Sequence, residues 1–206
     1  MSDLKFYYTP MSSATRIHWA LEELGVSYEK IRIDLAAGDQ KKPEYLALNP
    51  NGKVPLLVAE GEPIFESLAI LLYLGERFGV DKGLFPTPSP ARAVAFKWMA
   101  WGSVTLTEAL FRFMRNTSER FAADERNAKA AETAKSDIHT ALGILDAQMA
   151  GKQYMLGNDF SLVDVSIVSL VPFMARLGID TGSYANINAW VGRCMARPAL
   201  GRAMAG

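Results

Sequence analysis

The spacing of apolar residues changes character near residue 80. Before that point, short alternating runs are interleaved with helical ones. Leu4 to Tyr8 reads as an aromatic-rich strand, broken by Thr9-Pro10. Ser12 to Leu24 has helical spacing, with Ile17, Ala20, Leu21 and Leu24 on one side and Gly25 as the stop. Ser27 to Ile33 alternates again, and Asp34 to Gln40 is a loop. Pro43 to Leu48 predicts a short helix, because proline suits a first turn. Leu56 to Ala59 and Pro63 to Phe65 predict two strands joined by a hairpin at Glu60-Gly61, and Glu66 to Phe78 predicts another helix. The order β-α-β-α-β-β-α predicts a small mixed sheet covered by helices, since its strands are too apolar to leave both faces wet.

Gly79 to Pro90 carries two glycines and three prolines and reads as a linker. Beyond it no strand pattern survives. Ala91 to Arg120 is a long apolar and aromatic helical stretch. Asp124 to Met149, Ser161 to Leu177 and Tyr184 to Arg197 predict three more helices, the last stopped by Pro198. The expected organisation is an α/β domain over residues 1–80, a linker over 81–90 and an all-helical domain over 91–206. Phe160-Ser161-Leu162-Val163-Asp164-Val165 has the form of a capping box, with Ser161 as N-cap and Asp164 at the third helical position. Phe160 and Val165 are placed for a hydrophobic staple.

Composition narrows the function. The chain has 206 residues, half of them apolar, enough for one large core or two modest ones. Basic and acidic side chains balance at 22 each, so no basic field exists to gather nucleic-acid phosphates. Residues 1–80 carry 8 basic and 11 acidic side chains, which leaves 14 and 11 for residues 81–206, a weak hint of two units. Cys194 is the one cysteine, which excludes an internal disulfide, a dithiol pair and a cysteine-rich metal site. Two histidines, His18 and His139, are too few for a histidine-built site, so no metal is expected. No eighteen-residue apolar run and no signal-like start appears, so a cytoplasmic setting without a membrane role is expected.

Three segments of the first domain carry candidate chemistry. YYTPMSSATR, Tyr7 to Arg16, ends a strand and places two hydroxyls, Ser12 and Ser13, before a helix. Either hydroxyl can cap that helix or face an anion near its unpaired backbone donors. NPNGKVPLL, Asn49 to Leu57, puts Pro55 where a strand loses a donor. An edge strand would tolerate this, and so would a cis Val54-Pro55 bond that turns the Val54 backbone toward a ligand. Glu66-Ser67 opens the next helix, where a carboxylate, a hydroxyl and free N–H groups together suit a zwitterion.

These motifs resemble the soluble, cytosolic-type glutathione S-transferases over nearly the whole chain. NPNGKVPLL followed by FESLAILLYL, Phe65 to Leu74, is highly specific for that superfamily, and FSLVDVSI, Phe160 to Ile167, matches its helical-domain capping motif. The resemblance implies a thioredoxin-like first domain with a mixed four-stranded sheet and an all-α second domain. It implies a cis Pro55, with the Val54 backbone pairing with the cysteinyl backbone of glutathione as cosubstrate. Glu66 and Ser67 would hold the γ-glutamyl end, and Gln40 and Lys53 the glycyl carboxylate. Serine-type members place their hydroxyl just after the first strand, followed a few residues later by an arginine, and alignment on Arg16 makes Ser12 the best match. Ser13 and then Tyr7 are the alternatives. A bacterial subgroup carries cysteine at the position matching Ser13, and that cysteine is absent here. Met11, Trp98, Trp101, Phe111 and Met114 are the candidate walls of the electrophile site. A homodimer is also implied, with the first domain of one subunit facing the helical domain of the other.

The implied function is conjugation of the glutathione thiolate to small hydrophobic electrophiles. Isomerisation, peroxide reduction and dehalogenation use the same site. A binding protein without turnover is the alternative from another class. Thiolate formation sets the chemical demand. A free thiol has a pKa of about 8.5, and lowering it by about two needs about 2.7 kcal/mol of selective help for the anion.

Overall fold

A computed structural model describes residues 4–205 of the 206. The chain forms two compact units. The first runs up to Pro86 and resumes at Arg197; the second is Thr87–Ala196.

In the first unit, β1 (Leu4–Tyr8), β2 (Glu29–Arg32), β3 (Leu56–Ala59) and β4 (Glu62–Phe65) form one sheet in the order β2-β1-β3-β4. β1 and β2 are parallel, and β1–β3 and β3–β4 are antiparallel. The expected mixed four-stranded sheet is therefore present. β3 is an interior strand, so an edge position does not account for Pro55. Pro63, by contrast, lies on the edge strand β4, where a missing donor faces no partner.

Helix α1 (Ala14–Leu24) buries Ile17, Ala20, Leu21 and Leu24, the stripe its spacing predicts, and ends at Gly25 in the left-handed conformation. The short α2 (Pro43–Leu46) begins with its proline, after a 3₁₀ turn at Asp39–Lys41. Helix α3 (Ser67–Leu74) continues as a π-helical turn, Gly75–Gly79. Gly75 has no room for a Cβ, which would lie 2.7 Å from the Phe85 ring.

The second unit is all-helical among the described residues: α4 (Pro90–Trp101), α5 (Thr107–Thr117), α6 (Ala128–Met149), α7 (Leu162–Val168), α8 (Leu170–Arg176) and α9 (Ala185–Met195). The long pattern Ala91 to Arg120 is divided by a π-helical turn, Gly102–Leu106. The next helix starts at Ala128 rather than near Asp124, because Asn127 caps it by accepting the Ala130 N–H at 3.0 Å.

The predicted capping box is formed. Asp164 is fully buried and accepts from the Ser161 N–H and hydroxyl, both at 2.9 Å. Its other oxygen accepts the Met155 N–H and the Trp190 indole N–H, both at 2.8 Å. One carboxylate thus joins the α7 N-terminus to α9 and to the loop before α7. Ser161→Ala is expected to cost about 1 kcal/mol and to lower Tm by about 2–4 °C in a thermal melt, with cosubstrate affinity unchanged.

One element differs from the sequence reading. Pro198 stops α9 but also starts a further helix, α10 (Pro198–Ala205), since proline is as suited to a first turn as it is unsuited to an interior. That helix belongs to the first unit, not to the end of the helical domain. Its anchors are ionic. Arg197 clasps Glu23 of α1 through two hydrogen bonds of 2.6 and 2.7 Å, and Arg202 meets Glu22 at 2.9 Å. Glu23 also accepts the Trp19 indole N–H at 2.9 Å, so both oxygens of this nearly buried carboxylate are engaged.

Candidate active site

Strand register gathers the three candidate segments at one end of the sheet. Tyr7 pairs with Leu56, and Leu56 pairs with Phe65. The residues just beyond, Thr9 to Ser13, Val54-Pro55 and Glu66-Ser67, therefore leave the sheet side by side. Val54 and Phe65 also pack against one buried cluster of Ile33, Tyr45 and Leu56.

The loop after β1 is tied down by Thr9, whose hydroxyl donates to the Ile33 carbonyl at 2.6 Å. Met11 then takes a positive φ of 59° and leaves its side chain 72% exposed. A non-glycine residue there carries a cost of about 1 kcal/mol. The two serines that follow differ in what they do. The Ser12 hydroxyl donates to the Thr9 carbonyl at 2.7 Å and accepts the Ala14 N–H at 3.1 Å. Its proton and a lone pair are both engaged in the turn that leads into α1. Ser13 is exposed, and its hydroxyl lies 3.4 Å from the Val54 carbonyl, a long contact. Arg16 lies one helical turn beyond Ser12, on the same side of α1. Burial pushes its guanidinium down to about 10, so it keeps its charge at neutral pH. Tyr7 is half-buried, edge-on to the Tyr45 ring at 5.9 Å.

The Val54-Pro55 bond is cis. Asn49, Tyr45 and Gly52 hold the segment before it, although the sequence reading assigned them no part in the site. The Tyr45 hydroxyl and the Asn49 amide each donate to the Lys53 carbonyl at 2.7 Å. Gly52 has φ 58°, and a Cβ there would lie 3.1 Å from the Gln40 carbonyl, so the turn needs glycine on both counts. That contact sets Gln40 beside Gly52 and hence close to Lys53. A dense Asn-Pro-Asn-Gly turn hints at side-chain bonding by Asn49. No sequence signal singles out Tyr45.

Glu66 is the third non-glycine residue at positive φ, with φ 69° and ψ 120°. It is exposed, and no side chain caps α3. The first N–H groups of that helix have no intrahelical acceptor and gather at Ser67, beside the Glu66 carboxylate. An acid, a hydroxyl and helix-terminal donors thus lie together, a combination that suits a ligand with both an ammonium and a carboxylate.

The second unit presents the proposed apolar side chains. Trp98 and Trp101 touch edge-to-face, with centroids 5.3 Å apart. Trp98 is only 7% exposed and is largely a core residue, whereas Trp101 and Met114 are half-buried and Phe111 is 64% exposed. Among the described residues, no cluster of His, Cys, Asp or Glu could hold a metal ion, and no helix is long and apolar enough to cross a membrane.

A mixed four-stranded sheet with a cis proline opening an interior strand, followed by a helical unit, defines the class: a thioredoxin-like domain joined to an all-α domain. The glutathione S-transferase N-terminal domain family matches residues 2–76, and the C-terminal domain family matches residues 104–198. The chain belongs to the cytosolic-type glutathione S-transferase superfamily. It is 29% identical to the disulfide-bond oxidoreductase YfcG of Escherichia coli (strain K12), over 98% of this chain and 94% of that one. Among solved structures, a sphingomonad glutathione S-transferase complexed with glutathione aligns with TM-score 0.83 at 29% identity, covering 98% of this chain and 97% of that one. A glutathione transferase homologue from Sulfitobacter with bound glutathione aligns with TM-score 0.84 at 27% identity, again covering 98% and 97%.

Proposed function

We propose that this protein is a serine-type glutathione transferase that joins the glutathione thiolate to small hydrophobic electrophiles. The convergence of Ser13, Val54 and Glu66-Ser67 at one end of the sheet carries the reading. The Val54 backbone pairs with the cysteinyl backbone of glutathione. Glu66 and Ser67 take its γ-glutamyl ammonium and carboxylate, and Gln40 and Lys53 take its glycyl end. A hydroxyl before α1 and the positive end of that helix favour the thiolate over the thiol. The resemblance assigns the hydroxyl to Ser12, with Ser13 and Tyr7 as alternatives. The observed hydrogen bonds favour Ser13, since Ser12 must give up Thr9 before it can donate elsewhere. Met11, Trp98, Trp101, Phe111 and Met114 are the residues proposed to meet the electrophile.

A second reading, glutathione-dependent disulfide reduction, is favoured by the similarity to the Escherichia coli oxidoreductase. Cys194 is fully buried on α9, so the reacting thiol would be glutathione's own. We place the protein in the cytoplasm, where glutathione is kept reduced. We also propose a homodimer, supported by the exposed apolar side chains Val104 and Ile144 of the helical unit.

Glutathione titration beside a panel of an aryl halide, an α,β-unsaturated carbonyl, an organic hydroperoxide and a small disulfide tests the assignment. Binding with turnover of the first two is expected. Turnover of the disulfide alone selects the second reading. Binding with no turnover on any substrate selects a binding protein, and no binding overturns both enzymatic readings. A solution mass of only 22.6 kDa at low micromolar concentration would remove the dimer.

A further inference from the structure

We propose that Tyr45 and Asn49 form a clamp that aims the Val54 main chain at glutathione, and so act as positioning residues; this rests on the glutathione reading above. The Lys53 carbonyl is the target of both donors, at 2.7 Å each. A carbonyl oxygen has two lone pairs, so this one is saturated. The Lys53 carbonyl and the Val54 N–H belong to one planar peptide unit and point in opposite directions. Fixing the oxygen on one side therefore fixes the direction of the Val54 donor on the other. The N–H edge of the residue that pairs with a peptide-like cosubstrate is thus constrained.

The clamp is itself rigid. Tyr45 and Asn49 are 4% and 1% exposed. The Asn49 side-chain oxygen accepts the Asn51 N–H at 3.1 Å, which fixes the rotamer that points its amide at Lys53. Its main-chain N–H donates to the Tyr45 carbonyl at 2.8 Å, so the two donors are coupled. The turn is already closed by main-chain bonding, from the Gly52 N–H to the Asn49 carbonyl at 3.0 Å. The two side-chain donors act beyond that turn. Burial pushes the Tyr45 hydroxyl up to about 12, which keeps its proton in place at any working pH.

Tyr45→Phe is the cleanest test, because it keeps the ring in its cluster and removes only the hydroxyl. It is expected to weaken glutathione binding and raise the glutathione KM about fivefold to tenfold, the size of one lost hydrogen bond. Turnover at saturating glutathione should stay nearly constant, because the clamp serves ground state and transition state alike. Asn49→Ala should act in the same direction and more strongly. If it fails to fold, Tyr45→Phe decides alone. A folded Tyr45→Phe protein with a lowered melt but the parent's glutathione KM and Kd would overturn the clamp. A parent that binds no glutathione would overturn the clamp and the functional reading together.

Discussion

Asp164→Ala is expected to destabilise the protein by about 4 kcal/mol, and to lower Tm by about 8–16 °C, in a thermal or urea melt. The substitution strands the Met155 and Ser161 N–H groups and the Trp190 indole N–H, all directed at a fully buried point. Each stranded donor loses its partner without regaining water, at about 1–3 kcal/mol apiece, and overlapping relaxation keeps the total below the sum. Asp164→Asn should cost less, about 2 kcal/mol. It keeps one oxygen for Met155 and Trp190 and removes a charge that burial penalises, but it turns an N–H₂ toward the Ser161 N–H. A melt for Asp164→Ala equal to the parent's would show that the network contributes nothing. Retention of glutathione affinity in whatever folds is part of the expectation, because every partner of Asp164 lies in the second unit.

Removal of both hydroxyls before α1 is expected to have the largest effect on turnover. The Ser12→Ala/Ser13→Ala double variant should lower kcat/KM at about pH 6.5 by about thirtyfold to a hundredfold, since a hydrogen bond to an anion contributes about 1.5–3 kcal/mol. The sign of the pH dependence follows from the thiol. With the donor gone, the bound thiol's pKa rises toward its free value of about 8.5. The deficit should therefore shrink as pH rises through that value, where the thiolate forms unaided. The single variants divide the effect. Ser13→Ala is expected to carry the larger share of the pKa rise. Ser12→Ala is expected to lower Tm, because it releases the Thr9 carbonyl and the Ala14 N–H. A pH–rate profile unchanged in the double variant would eliminate hydroxyl activation. One unchanged in Ser13→Ala but shifted in Ser12→Ala would return the role to Ser12.

Regular local patterns made much of this legible from sequence. The sheet, the α1 stripe and the capping box follow from alternation, from a 3.6-residue spacing and from one serine set three residues before an aspartate. The three-way convergence was legible only through resemblance, because it depends on strand register across three non-consecutive segments. The competing uses of Ser12 and Ser13 were not legible, since adjacent hydroxyls with the same chemistry are separated only by which carbonyl each faces. Tyr45 was missed for a similar reason. An aromatic residue in a short helix reads as packing, and its hydroxyl acquires a role only when the chain returns eight residues later. Pro198 was read as a terminator because a proline looks the same whether it ends one helix or begins the next.

The excursion of the chain out of the first unit and back at Arg197 bears on biosynthesis. Glu22 and Glu23 emerge from the ribosome 180 and 174 residues before Arg202 and Arg197, the arginines that clasp them. The helical unit is in effect an insertion. It can mature while its host still lacks that brace, and a premature stop near residue 196 would impair a unit whose sheet was made long before it.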